Sequence, residues 1–159
     1  MFPTLAKSPA LRKNSRPMSD LHFHVLLVED DPRDIEQIRR GLESLGFPEA
    51  LLRVAALDQA IDYLSGRKPF EDRKRHPLPE LILVSLSLSR KGGFKLLKWL
   101  REKKGLRGIP VVVLASARQP VGYEQASEFG AVSYLVKPVE PEALESMIKA
   151  VLNYWMLNK

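Results

Sequence analysis

The chain has 159 residues, a formal net charge of +6 and no cysteine. This length fits one domain of about 100–150 residues, and 45% hydrophobic with 28% charged residues is ordinary globular composition, which excludes wholesale disorder. The lack of cysteine excludes disulfide scaffolds, thiolate zinc sites and cysteine nucleophiles. No apolar run approaches the roughly 20 residues that span a bilayer, so we expect a soluble protein without membrane contact.

The positive charge is concentrated in two segments. Residues 1–17 carry four basic residues and no acid, and residues 67–107 carry thirteen basic residues against four acids. The rest of the chain has eight basic and fifteen acidic residues. Residues 1–20, with three prolines and no apolar periodicity, are predicted to form a disordered basic arm, with Met18 as an alternative start of the natural chain. Residues 21–159 are predicted to form a single domain.

The first half of the chain alternates apolar runs with amphipathic stretches. His24–Val28 is an uninterrupted apolar run and predicts a strand that is buried on both faces. Pro32 begins a helix that ends near Gly46, because apolar residues recur between them at helical spacing. The next predicted elements are a strand at Leu51–Ala55, a helix at Asp58–Leu64 and a charged loop at 67–79.

The second half continues the alternation. Strands are predicted at Leu81–Leu86, Ile109–Leu114 and Val132–Val136, and the helices follow Gly92 and Gly93, cover Gln119–Phe129, and begin at Pro141. The last helix is the clearest, because apolar residues recur along it at intervals of three and four. Five strands that alternate with five helices imply an α/β fold with a parallel sheet, right-handed crossovers and helices on both faces.

Functional groups of such a fold gather at the carboxyl ends of its strands. These positions hold Glu29 and Asp30 after strand 1, Ser85 at the end of strand 3, Ala115 after strand 4 and Lys137 after strand 5. Clustered carboxylates favour a hard cation such as Mg²⁺, and a lysine can neutralise a phosphoryl oxygen. The alternative for the acidic run is that it caps the following helix, and capping is preferred for Asp31 because Pro32 follows it directly.

Several ordered motifs resemble those of a response-regulator receiver domain. They are LLVEDDP at 26–32, PELILVSLSL at 79–88, Gly93, IPVVVLAS at 109–116 and GAVSYLVKP at 130–138, and their spacing agrees along residues 22–157. The chain is most similar to the small stand-alone regulators paired with bacterial phytochrome-type histidine kinases, which share the charged loop, the IPVVVL strand and a Trp-containing final helix. The resemblance implies a flavodoxin-like, doubly wound (βα)5 sandwich with strand order 2-1-3-4-5, acting in cytoplasmic two-component signalling.

The resemblance also implies roles for the strand-end residues. In receiver domains an aspartate at the end of strand 3 takes a phosphoryl group from a kinase phosphohistidine, beside Mg²⁺ held by an acidic pair. By position, Glu29 and Asp30 match the acidic pair, Lys137 matches the pocket lysine and Tyr134 matches the switch aromatic residue. The phosphoacceptor position, however, holds a serine, Ser85, and the Thr/Ser position after strand 4 holds an alanine.

These two departures predict a degenerate receiver. A serine hydroxyl is neutral at neutral pH, binds Mg²⁺ poorly and cannot form the mixed anhydride of an aspartyl phosphate. Ala115 lacks the hydroxyl that would bond a phosphoryl oxygen, and Ser116 is expected to point elsewhere because side chains alternate along a strand. We therefore expect no enzymatic activity, no required cofactor and weak or absent Mg²⁺ binding at Glu29 and Asp30, with Lys137 paired to both carboxylates.

Other functions stay open at this point. One is a conventional phosphorylatable receiver that uses an unforeseen residue. Another is nucleic-acid binding through residues 67–107, although Lys95, Lys98 and Arg101 also fit a solvated outer face of the third helix. A flavin-binding enzyme on this fold is disfavoured, because the acids after strand 1 repel phosphate. A histidine kinase or another signalling protein is the expected partner, and nucleic acid is not.

The end of the last helix is unusually aromatic and apolar. Trp155 fits the core-facing stripe of the helix. Tyr154, Trp155 and Met156 are nevertheless candidates for a homodimer or partner surface, since an exposed helix end does not require such residues.

Overall fold

A computed structural model describes residues 23–88, 92–116, 123–128, 130–131 and 133–157. Within these ranges the strands are β1 (Val25–Val28), β2 (Leu51–Val54), β3 (Leu81–Ser85), β4 (Val111–Ser116) and β5 (Ser133–Lys137). The helices are α1 (Pro32–Ser44), α2 (Leu57–Ser65), α3 (Gly92–Arg101), α4 (Tyr123–Glu128) and α5 (Pro141–Leu157), and a short 3-10 helix, Lys104–Leu106, follows α3. No helix in the described ranges is long and apolar enough to cross a membrane.

The strands form one parallel sheet in the order β2-β1-β3-β4-β5. This order confirms the predicted flavodoxin-like, doubly wound fold. The main difference lies in β4, which begins after Pro110 and continues to Ser116 instead of ending at Leu114. The later start follows from proline, which has no N–H to donate to a strand ladder. Residues 1–20, with the alternative start at Met18, and residues 119–122 and 129 of the predicted fourth helix lie outside the described residues.

The two faces of the sheet feed two hydrophobic cores. One core lies beneath α1 and α5 and includes Leu27 and Leu83, and the other lies beneath α2, α3 and α4. All of β1 and β3 is buried, which explains their uninterrupted apolar sequences. Because side chains alternate along a strand, Glu29 and Ser85 follow Leu27 and Leu83 on the α1/α5 face of the sheet.

Two local features hold helices against the strand ends. Asp31 is the N-cap of α1, where its carboxylate accepts a hydrogen bond of 2.9 Å from the Arg33 N–H before the proline-led first turn. At the start of α3, a Cβ on Gly93 would lie 2.7 Å from the Ser85 carbonyl oxygen, so only glycine fits. The acidic run after β1 therefore includes a helix cap, as predicted, and α3 packs directly on the end of β3.

The charged loop at 67–79 is built around one arginine. The Arg73 guanidinium donates hydrogen bonds to the carbonyls of Tyr63 at 2.8 Å, Leu64 at 3.0 Å and His76 at 3.1 Å. Two of these carbonyls belong to the last turn of α2, where a cation complements the negative end of the helix. Part of the positive charge in this loop is therefore structural, while Lys68 and Lys74 are exposed to solvent.

Candidate functional site

Lys137, the last residue of β5, is buried and lies at the centre of the site. Its ammonium group donates hydrogen bonds to Glu29 Oε2 at 2.9 Å and to Asp34 Oδ2 at 2.8 Å. It also donates to Ser85 Oγ at 3.0 Å and to Ser87 Oγ at 3.3 Å. The three N–H groups of the ammonium thus serve four acceptors, two of which are carboxylates.

These neighbours keep Lys137 charged. Burial by itself lowers the pKa of a lysine, but the hydrogen bonds and charges of Asp34 and Glu29 outweigh burial and raise the pKa of Lys137 above 10.5. The amine is therefore protonated at neutral pH and has no lone pair. It cannot take a proton from Ser85, which excludes activation of that serine by this lysine as a general base.

Both carboxylate oxygens of Glu29 accept hydrogen bonds inside the protein. Its side chain is 0% exposed. Oε1 accepts the backbone N–H groups of Asp30 and Asp31, each at 3.1 Å, and Oε2 accepts the ammonium of Lys137. Lys137 therefore already balances the charge of this enclosed carboxylate.

Asp30 does not face Lys137. It is exposed and lines a separate depression together with residues of α2 and α3. The predicted pairing of Lys137 with Glu29 is present, whereas the predicted pairing with Asp30 is wrong. The physical reason is strand alternation, because Glu29 and Asp30 are consecutive and their side chains leave the sheet on opposite faces.

Asp34 supplies the second carboxylate, which the sequence interpretation missed. It lies in the first turn of α1, four residues before the fully buried Ile38. Residues four apart share one face of a helix, so the core position of Ile38 is the sequence feature that could have placed Asp34 inward. Ser87 lies two residues after Ser85, which is the spacing at which side chains of an extended chain return to the same face.

Ser85 is completely enclosed. It is 0% exposed, and its Oγ lies 2.6 Å from Ser87 Oγ and 3.0 Å from Lys137 Nζ. The hydroxyl is therefore occupied by neighbours on both sides. A phosphoryl donor cannot contact it in this arrangement.

β4 presents Ser116, not Ala115, to the site. Ser116 pairs with Lys137 in the sheet register and lines the cavity beside it, whereas Ala115 is fully buried. The expectation that Ser116 points elsewhere is wrong, because the strand continues to Ser116 and alternation puts that residue on the Lys137 face. Tyr134, three residues before Lys137, packs partly buried against the core beneath α2, α3 and α4, and burial raises the pKa of its hydroxyl.

The site opens to solvent through a cavity of about 370 Å³. Asp34, Ser87, Ser116 and Lys137 contribute to its lining, beside the exposed side chain of Val139. The Asp34 side chain is 24% exposed, against 0% for Glu29. Asp34 is thus the more accessible of the two carboxylates that hold the lysine.

Comparison with known families agrees with this arrangement of strand-end residues. The family model described as the response regulator receiver domain matches residues 25–149. The chain belongs to this family.

Individual receiver proteins extend the agreement. The two-component response regulator ORR11 of rice (Oryza sativa) is 33% identical over 129 residues, which is 81% of this chain and 80% of that protein. The crystal structure of the phosphorylated cyanobacterial phytochrome response regulator RcpA matches with a TM-score of 0.79 and 25% identity, over 87% of this chain and 97% of that one. Response regulator RPA3017, in red light signalling of R. palustris, matches with a TM-score of 0.77 and 27% identity, over 86% and 96% of the two chains. The predicted similarity to phytochrome response regulators is confirmed.

The residues of this receiver do not fit the Mg²⁺ ion that the family implies. Mg²⁺ requires several oxygen ligands in near-octahedral geometry. Ser85 offers no carboxylate, both oxygens of Glu29 already accept hydrogen bonds, and Asp30 lies on the other face of the sheet. In the part of the chain that the structure describes, no group of three or more His, Cys, Asp or Glu side chains could hold a metal ion.

The end of α5 differs in part from the prediction. Met156 is 3% exposed and continues the core-facing series of Ile148 and Leu152, so its assignment to a partner surface is wrong. Trp155 packs partly buried against the same core, which favours the core interpretation of that residue. Tyr154 is half-buried and meets Trp155 edge to face, with ring centroids 5.3 Å apart.

We predict that Lys137→Met lowers the free energy of unfolding by about 3–5 kcal/mol, because it leaves a buried Glu29 carboxylate without its partner. Adding Glu29→Gln should recover part of that loss, since the remaining amide carries no charge. Urea unfolding of the wild type, the two single variants and the double variant measures the coupling. Losses that simply add would contradict a direct pair.

Because the pKa of Lys137 is raised, the stability difference between the wild type and Lys137→Met should depend on pH. A group whose pKa is higher in the folded state stabilises the fold below its unfolded pKa, and this contribution disappears as pH rises through the folded value. The stability gap between wild type and Lys137→Met should therefore be constant near neutral pH and shrink above pH 10.5. Unfolding at stepped alkaline pH measures the gap, and a gap that widens would contradict the assignment.

Proposed function

We propose that this receiver-family chain is a signalling module of a two-component pathway that acts through protein contacts and forms no aspartyl phosphate. The observation that supports the proposal is the set of hydrogen bonds that the buried Lys137 ammonium makes within the chain. In a phosphorylated receiver this lysine faces the phosphoryl group, whereas here Glu29, Asp34 and two serine hydroxyls already satisfy it. The role is non-enzymatic and cytoplasmic, where kinase domains and receivers meet.

The chemistry of phosphoryl transfer supports this proposal. Transfer to a receiver requires a carboxylate nucleophile, a cation to neutralise the phosphoryl oxygens and a hydroxyl to bind one of them. Ser85 replaces the nucleophile, and it is enclosed. The cation-binding carboxylates either already accept hydrogen bonds or lie on the other face of the sheet. Of the three groups only the hydroxyl is present at the site, on Ser116. We accordingly propose that the chain needs no cofactor.

A receiver of this kind would bind its partner in one conformation and would not switch between two. A ligand shifts a conformational equilibrium only by its differential affinity for the two states. Without a phosphoryl group to draw Lys137 away from Glu29, nothing at this pocket would favour a second state. The chain would then bind a histidine kinase or another signalling protein in one conformation, with a homodimer through Tyr154 as a further prediction.

A conventional phosphorylatable receiver is the second candidate, and one observation favours it. Asp34 is a partly exposed carboxylate on the cavity, 2.8 Å from Lys137 Nζ, and could take the place of the missing nucleophile. Its weakness is the lack of a metal-binding set beside it among the described residues.

Incubation with acetyl phosphate and Mg²⁺, followed by intact-protein mass spectrometry, separates the two candidates. We predict that the wild type gains no phosphoryl group. The matched variant Ser85→Asp, which restores the nucleophile on the face of the sheet that carries Ser116 and Lys137, should gain one. Phosphorylation of the wild type would overturn the proposal, and its loss in Asp34→Asn would establish the second candidate.

A further inference from the structure

The outer surface of α3 and the turn after it concentrates positive charge. Residues 92–108, which we term the α3 basic surface, hold six Lys and Arg and one Glu, a net charge of +5. All six cations are exposed. The other described residues carry eleven Lys and Arg against seventeen Asp and Glu, a net charge of −6. The cations of the surface are Lys95, Lys98, Arg101, Lys103, Lys104 and Arg107.

These cations are oriented but not neutralised. Arg101 donates to the backbone carbonyl of Glu128 at 2.6 Å, and Arg107 donates to the backbone carbonyl of Arg101 at 2.8 Å. The Lys103 ammonium lies 5.5 Å from the ring centroid of Trp99. Within the described ranges, none of the six forms an ion pair with a carboxylate. Carbonyl oxygens and an aromatic ring hold the side chains in place while the full charges remain available.

Three of the cations converge on one depression. Lys98, Arg101 and Arg107 line it together with Glu102, and its volume is about 640 Å³. Arg101 and Arg107 each use one N–H group on a backbone carbonyl, so further guanidinium donors remain for an incoming anion. A planar guanidinium binds a carboxylate with two parallel hydrogen bonds, which makes this depression suited to Asp and Glu side chains.

The surroundings favour a protein over a nucleic acid. Glu102 lies inside the depression, and Glu128 of α4, whose backbone carbonyl accepts the Arg101 hydrogen bond, is exposed. At the other end, Lys95 shares a depression with Asp30 and Asp58. An extended phosphate backbone that followed α3 would meet these carboxylates. The cations from Lys95 to Arg101 span only about 9 Å of helix, which is short for the phosphate contacts of a nucleic-acid interface.

We propose that the α3 basic surface docks an acidic surface of a signalling partner, with Asp and Glu side chains seated on Lys98, Arg101 and Arg107. The inference rests on the proposed action by protein contact, and it names the face that makes the contact. This face is on the α2/α3/α4 side of the sheet, whereas the Lys137 site is on the α1/α5 side. The two surfaces therefore do not overlap.

A fluorescent synthetic peptide rich in Glu and Asp tests the proposal, beside single-stranded and duplex oligonucleotides of the same net charge. Fluorescence anisotropy measures each affinity over a series of salt concentrations. Lys98→Glu with Lys104→Glu changes the surface, and Lys68→Glu with Lys74→Glu makes the same change of charge in the 67–79 loop. We expect the first variant to weaken peptide binding about tenfold or more, and the control by less than about twofold.

Four results would overturn the proposal. The first is an equal loss of peptide binding in both variants, which would reflect net charge alone, and the second is no binding of the peptide. The third is oligonucleotide binding as tight as peptide binding. The fourth is concentration-dependent self-association that the first variant abolishes, which would make a second copy of the chain the occupant. Circular dichroism and a melting curve confirm that each variant is folded. Because the assay uses no phosphoryl donor, its failure is distinguishable from a failure of the proposed function, which the acetyl phosphate experiment tests.

Discussion

A lysine ammonium buried at a strand end must be surrounded by negative charge and hydrogen-bond acceptors, since an unpaired buried ion costs several kcal/mol. In this receiver the requirement is met from three elements of the fold: Glu29 from the end of β1, Asp34 from α1, and Ser85 and Ser87 from the end of β3. The lysine is protonated and enclosed. The rest of the site follows from this, because the group that would meet a phosphoryl oxygen is already satisfied within the chain.

The two faces of the sheet separate two sets of charges. The Lys137 network lies on the α1/α5 side, where charges are paired and withdrawn from solvent. The α3 basic surface lies on the other side, where charges are exposed and without carboxylate partners among the described residues. Such a division fits the proposed action through protein contacts, because an exposed charged surface contributes to association rate and specificity. The net charge of the chain conceals this division.

The fold was predictable because the strand and helix patterns are both strong. Uninterrupted apolar runs such as β3 predicted the strands, and regular apolar spacing such as that of α5 predicted the helices. Their alternation along the chain predicted a parallel sheet. The positions of Glu29, Ser85 and Lys137 at one edge of the sheet followed from the same pattern. The motif match groups Glu29 and Asp30 as one acidic pair, whereas strand alternation puts their side chains on opposite faces of the sheet, and for that reason the pairing of Asp30 with Lys137 is wrong.

The remaining misses share a physical cause. The face that Ser116 occupies depends on where β4 ends, and strand ends are not fixed by apolar pattern. Asp34 was missed because the rule that functional groups lie at strand ends does not include carboxylates in the first turn of a helix. Met156 was predicted for a partner surface because an exposed helix end does not require apolar residues, but the helical period places it in the core.

The central claim is that the pocket is closed by the lysine network and does not accept a phosphoryl group. Addition of beryllofluoride and Mg²⁺ to the isotope-labelled protein, followed by backbone amide NMR, tests it most directly. The account predicts that the amide signals of Glu29, Ser85, Ala115, Tyr134 and Lys137 do not move at saturating beryllofluoride. Saturable shifts at these residues would contradict it.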